Sequence, residues 1–301
     1  MDTPSFGIAA GLISAVLWAY ASARFKPILS RHGPFATNLF KATVSCALFW
    51  ATTLVLGVTG TDVMAGCGES EALLLAISGA IGLAAGDYCY FVAIDRVGVR
   101  QATLLHGTAP LWLLAFGVLG PGEPPRPLQL IGILLVVGGV LDVTRRRVDG
   151  KAAANARVRS GTLFGLLAAV GQAIGILVAK APTDACENPI LIAAVRLSGA
   201  AIGLAVIAMF AGQIPAFLRL LREREGMARS IEPVFVGTFL GVIFMTIAID
   251  AAHEAVAGAI LSLTPVFAVP VSRWLFKEEI RWQTLIGTCI AVGGVVLISI
   301  G

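Results

Sequence analysis

The feature that most constrains this chain is an internal repeat. Gly82–Val140 recurs without a gap, 155 residues later, as Gly237–Val295. Ala93-Ile94-Asp95 returns as Ala248-Ile249-Asp250, Pro110 as Pro265, Glu123 as Glu278 and Arg126 as Arg281. Leu130-Ile131-Gly132 returns as Leu285-Ile286-Gly287, and Val137-Gly138-Gly139-Val140 as Val292-Gly293-Gly294-Val295. Apolar segments share letters by chance, but charged residues and prolines at one fixed offset do not. The start of the chain repeats as well: Gly11-Leu12, Ala15-Val16 and Ala19 match Gly165-Leu166, Ala169-Val170 and Ala173. A repeat of this length marks a duplicated architecture. Its halves are residues 1–143 and 161–301, divided by a polar, basic linker at 144–160.

Composition names the solvent. The 301 residues are 57% hydrophobic and 13% charged, against about 25% charged in a soluble domain. So much apolar surface cannot be hidden in a water-soluble core, and the expected solvent for most of the chain is lipid. Ten apolar segments can be marked, at 6–23, 35–58, 72–94, 99–119, 128–143, 161–179, 190–211, 233–250, 255–276 and 282–300. Lipid offers the backbone no hydrogen-bond partners, so these segments must be helices. The alternation of a membrane barrel is absent. The expected fold is therefore all-α and integral to the membrane, with ten transmembrane helices in two five-helix repeats. Five is odd, so the second copy enters the membrane from the opposite side and the repeats are inverted. Met1-Asp2-Thr3-Pro4 has no basic residue, unlike a cleaved signal peptide, and the first segment is expected to be a retained helix.

Orientation follows from Lys and Arg. The odd-numbered connections share one face and hold 18 of the 22 cations, six of them in the linker region from Arg145 to Arg159. The other face holds Arg126 and Lys180 with several acids. This bias predicts a multi-pass protein of the cell inner (plasma) membrane, with the linker cytoplasmic and both termini outside. The net charge of +4 reads as topology signals and not as a nucleic-acid surface. The five cysteines show no metal spacing. Cys67 and Cys186 both fall on the expected outer face, where a disulfide is permitted, but sequence does not bring them together. Glycine pairs such as Gly82/Gly86, Gly171/Gly175 and Gly237/Gly241 let helix backbones approach closely.

Each repeat ends in a proline, an apolar run, a glutamate, a short turn and a Gly-Gly helix. The residues are Pro110, Glu123, Leu130-Ile131-Gly132 and Gly138-Gly139-Val140, with counterparts Pro265, Glu278, Leu285-Ile286-Gly287 and Gly293-Gly294-Val295. With Leu17-Trp18 in the first segment, this pattern resembles the EamA-type drug/metabolite transporter superfamily across essentially the whole chain. The resemblance implies a transporter of a small metabolite, an amino acid or a drug-like compound. After Trp18 the chain reads Ala19-Tyr20-Ala21 where that family often has Gly-Ser-Asn.

Charges inside apolar segments are functional candidates, because a membrane charge costs about 2.5–3.5 kcal/mol on insertion scales. Lys41 and Arg196 are related by the 155-residue offset. They read either as cavity cations for an anionic substrate group or as snorkelling and packing charges. Asp87 lies deep in the third segment, where its counterpart is Val242. It is either a proton-coupling carboxylate or the acid of a static bridge to Lys41 or Arg196. His106, whose counterpart is Leu261, is a proton-relay candidate or a histidine bonded within the bundle. Trp18, Tyr20, Tyr88, Tyr90, Trp112 and Gln172 are candidate cavity-lining groups, or else lipid-facing and core residues. Pro110 and Pro265 remove a backbone donor inside a segment and predict helix kinks. Glu123, Glu278 and the pair His253-Glu254 read as turn and surface groups, with no metal site among them.

No ATP-binding motif or cofactor signature is present. The leading expectation is a secondary transporter, a permease or exporter working by alternating access, with small-molecule substrate and membrane lipid as partners. It would act as a monomer or homodimer. A channel or lipid flippase on the same fold is the alternative. An intramembrane enzyme is the weaker one, since that chemistry needs a paired carboxylate or an activated nucleophile.

Overall fold

The computed structural model describes residues 3–57, 67–119, 126–145, 152–186, 188–251, 263–277 and 282–300, and every regular element among them is helical. The first half holds α1 (Thr3–His32), α2 (Pro34–Val55), α3 (Glu69–Gly79), α4 (Asp87–Val97), α5 (Val99–His106), α6 (Ala109–Leu119) and α7 (Pro127–Arg145). The second holds α8 (Ala152–Ala185), α9 (Pro189–Phe210), α10 (Ile214–Arg222), α11 (Arg224–Pro233), α12 (Gly241–Ala251), α13 (Thr264–Phe276) and α14 (Trp282–Ile300). Among the described residues, six continuous stretches are long and apolar enough to cross a membrane: Phe6–His32, Pro34–Val55, Glu69–Val97, Ala156–Ala185, Pro189–Phe210 and Arg224–Ala248. At 1.5 Å per residue, the 22 residues of α2 reach about 33 Å, enough for a hydrocarbon core of about 30 Å. Leu54, Ile202, Met209 and Phe210 point outward from these helices, as lipid contact requires.

Turns between helices use local chemistry. Gly33 at φ 82° closes α1, and Pro34 opens α2 at its first turn. Gly98 at φ 83° does the same between α4 and α5. Asn188 caps α9, its Oδ1 accepting from the amides of Ile190 and Leu191 at 3.1 and 3.2 Å; this satisfies donors that a helix start leaves orphaned.

The halves pack as copies related by a two-fold rotation. A β-carbon on Gly132 of α7 would sit 2.6 Å from the Gly294 carbonyl oxygen of α14, and one on Gly139 would sit 2.6 Å from that of Gly287. Gly132 and Gly139 are the repeat counterparts of Gly287 and Gly294. The two contacts therefore exchange under a two-fold, and α7 and α14 run antiparallel. The glycine pairs have specific partners. Gly82 and Gly86 lie against Gly175 and Gly171 of α8, and Gly237 and Gly241 lie against Ala21 and Trp18 of α1. The two crossings are copies of each other, since Gln172 and Trp18 occupy matching positions.

Two departures from regular helix are also duplicated. Ala80–Gly86, between α3 and α4, and Val234–Leu240, between α11 and α12, are π-helical. Wider π turns loosen the backbone ladder, and Asn38 Nδ2 donates to the Ala84 carbonyl at 2.8 Å. The segment expected as one helix over 99–119 is broken at Gly107–Thr108. Pro110 has no N–H to close the turn, and the Thr108 hydroxyl takes the Leu105 carbonyl at 2.7 Å. Pro110 and Pro265 therefore stand in the first turns of α6 and α13, instead of kinking continuous helices. The turn bond from the Leu111 amide to the Thr108 carbonyl, 2.9 Å, recurs as Val266 to Leu263, 2.8 Å. α8 begins at Ala152, inside the stretch read as linker. The charge run near Arg219 forms α10, with Leu220 fully buried. Glu123, His253, Glu254, Leu261, Glu278 and Arg281 lie outside the described residues.

Candidate functional site

Lys41 and Asp87 carry the centre of the bundle. Lys41 lies on α2 and is 5% exposed. Its ammonium forms an ion pair with Asp87 and stands 5.5 Å from the Phe91 ring centroid. Asp87 is the first residue after the π-helical stretch, so that irregularity sets the direction in which the carboxylate leaves the helix. The bridge expected with Lys41 or Arg196 is thus made with Lys41.

Arg196 is held apart from that pair. Its Nε donates to Ser78 Oγ at 3.0 Å, and its Nη2 is buried with no hydrogen-bond partner. Ser78 Oγ in turn donates to the Leu75 carbonyl at 2.7 Å, which leaves a lone pair for the guanidinium. The α3–α9 crossing beside it is very close: a β-carbon on Gly79 would run into the Arg196 carbonyl, and one on Gly199 into that of Ala76.

His106 ends α5 at the helix break. Its ring lies 4.8 Å from that of Tyr90, and its Nε2 is buried without a partner. The Tyr90 hydroxyl donates to Ser22 Oγ of α1 at 2.8 Å. Around the break, Leu104, Gly107, Thr108, Val136, Pro265 and Ala291 line an apolar crevice, and a β-carbon on Gly107 would meet the Pro265 ring at 3.2 Å. The break in the first half therefore packs against the first turn of α13 in the second.

The aromatic candidates divide. Trp112 Nε1 is buried without a partner. Tyr88 packs edge-on against Phe35 at 6.1 Å. Trp18 and Gln172 occupy the two matching helix crossings. Tyr20 is drawn to the basic end of the bundle, where its hydroxyl bonds Glu232 beside the Arg24–Glu232 salt bridge, 2.9 Å from Nε. Sequence reasoning missed Glu232, Arg24 and Ser78. Glu232 precedes Pro233 and looked like the edge of a loop; its signal was a carboxylate one residue from an apolar span.

The ends of the bundle differ. At the basic end, Arg31 pairs with Glu223, Arg157 with Asp95 at 3.2 Å, and Lys26 lies 4.6 Å from the Phe276 ring centroid. These contacts tie the first connection to the seventh and ninth, and the third to the fifth. At the other end Cys67 and Cys186 form a disulfide, with Cα atoms 4.8 Å apart. Among the described residues no cluster of His, Cys, Asp and Glu could hold a metal.

The EamA-like transporter family matches residues 5–145 and 159–300, one copy in each half. A solved crystal structure is similar at a TM-score of 0.62 and 17% identity, over 97% of this chain and 94% of that one; it supports the fold alone. No curated protein matches the sequence.

Proposed function

Because the chain belongs to the EamA-like transporter family, we propose that it is a secondary carrier moving a small metabolite, amino acid or drug-like compound by alternating access. The observation that carries this reading is the duplicated turn at the start of α6 and α13. Thr108–Leu111 and Leu263–Val266 make the same turn, and Gly107 beside the first packs against the Pro265 ring in the second. Inverted-repeat carriers use discontinuous helices near the midplane, where the repeats meet, to hold substrate and to flex. Ten spans in an inner (plasma) membrane, the basic face cytoplasmic and both termini outside, complete the reading, as a monomer or homodimer.

In this mechanism Asp87 and His106 form the coupling site. A proton delivered to Asp87 releases Lys41, and the freed ammonium changes how α2 and α4 are held. Tyr90 packs against His106 with its ring tilted, and bonds α1 through Ser22. Trp112, Trp18, Tyr88 and Gln172 line the substrate path. Tyr20, with Arg24 and Glu232, closes it at the basic end. Saturable, trans-stimulated uptake into proteoliposomes tests the carrier; flux without saturation would assign the fold to a channel.

A further inference from the structure

Repeat symmetry relates Lys41 to Arg196 and Asp87 to Val242. The two cations are not equivalent. Lys41 has its acid, Asp87, and that pair cancels. The position that would neutralise Arg196 is filled by Val242, which packs with Phe49, Ala194, Leu197 and Phe239 in an apolar cluster. Asp87 is the acid whose field reaches Arg196, but no salt bridge joins them, and Lys41 already holds it. Among the described residues, one positive charge is therefore left over inside the bundle. A buried charge is costly unless it is paired.

The guanidinium is also oriented. Ser78 fixes Nε, the close α3–α9 crossing fixes the backbone, and Nη2 is presented without a protein acceptor. Arginine offers a planar fork suited to a carboxylate.

We propose that Arg196, and not Lys41, receives the anionic group of the transported solute, and that this group is a carboxylate. The single uncompensated charge favours a monoanion over a phosphate dianion. The proposal rests on the carrier reading for the word transported, and on the Arg196 geometry alone for binding.

The test is binding to purified full-length protein, read by thermal shift and tryptophan fluorescence. The probes are acetate, benzoate and hydrocinnamate, their three neutral amides, and inorganic phosphate. At least one carboxylate should bind saturably, about tenfold or more tighter than its amide. Arg196→Gln and Val242→Asp, which supplies an internal counter-ion, should each weaken it about tenfold or more. Arg196→Lys should keep part of the affinity. If Arg196→Gln fails to fold, Val242→Asp against Val242→Asn carries the comparison. Equal binding of amides, no carboxylate bound, phosphate bound alone, or an unchanged Val242→Asp variant would each overturn the proposal. Carboxylate binding without any solute flux in proteoliposomes would overturn the carrier reading and leave the site. Saturable transport of the amides with no carboxylate binding would do the reverse.

Discussion

Lys41 on α2 and Asp87 on α4 form an ion pair inside the bundle, and the symmetry-related half holds no copy of it because Val242 stands where the acid would be. Removing one partner leaves the other charge buried and unpaired. Asp87→Asn or Lys41→Gln should each destabilise the protein by about 3–5 kcal/mol, and the double variant by less than the sum of the two. Thermal unfolding of the three variants in detergent measures this. Strict additivity would mean the two residues do not act as a pair.

The α7–α14 crossing makes a paired comparison possible. Gly139 and Gly294 each face a backbone that an added β-carbon would approach within 2.6 Å, whereas Gly138 and Gly293 face open space. Gly139→Ala and Gly294→Ala should cost about 1–3 kcal/mol, as overpacking does. Gly138→Ala and Gly293→Ala should leave the melting temperature unchanged or raise it. The positions within each pair are adjacent in sequence, so composition and helix propensity are matched. Only the packing differs.

The repeat, the lipid solvent and the twin prolines were all legible in the sequence, because each is a pattern of residue types at fixed spacing. The choice of Lys41 over Arg196 as the partner of Asp87 was not. It depends on the π-helical stretch before Asp87, which has no strong local signature, and on an α3–α9 distance set by Gly79 and Gly199. The break at Gly107–Thr108 was half legible. Pro110 signalled a missing bond, but the Thr108 hydroxyl decided where the helix unwound. Cys67 and Cys186 lie 119 residues apart, and only the packing of α3 on α8 and α9 brings them together.

That disulfide closes a long loop at the end of the bundle opposite the basic face. A crosslink of this kind contributes about 2–4 kcal/mol, mainly by restricting the unfolded chain. Dithiothreitol, and the Cys67→Ser/Cys186→Ser variant, should lower the melting temperature alike and should not add to each other. A further fall when the double variant is reduced would point to a different bond.

The basic face predicts orientation. A cysteine at Ser160, near the Arg157–Asp95 contact, should react with a membrane-impermeant maleimide only after cells are opened. One at exposed Ser70 should react in intact cells. The reverse pattern would turn the protein over in the membrane.

The central claim is that the two symmetry-related halves form an alternating-access carrier, and counterflow tests it most directly. Proteoliposomes preloaded with an unlabelled amino-acid mixture would be diluted into the same mixture bearing a radiolabel at low concentration. The account predicts a transient overshoot of label that saturates with external concentration, together with a change in its pH dependence in Asp87→Asn and His106→Ala. A flux that rises linearly, shows no overshoot and is indifferent to what is inside would contradict it.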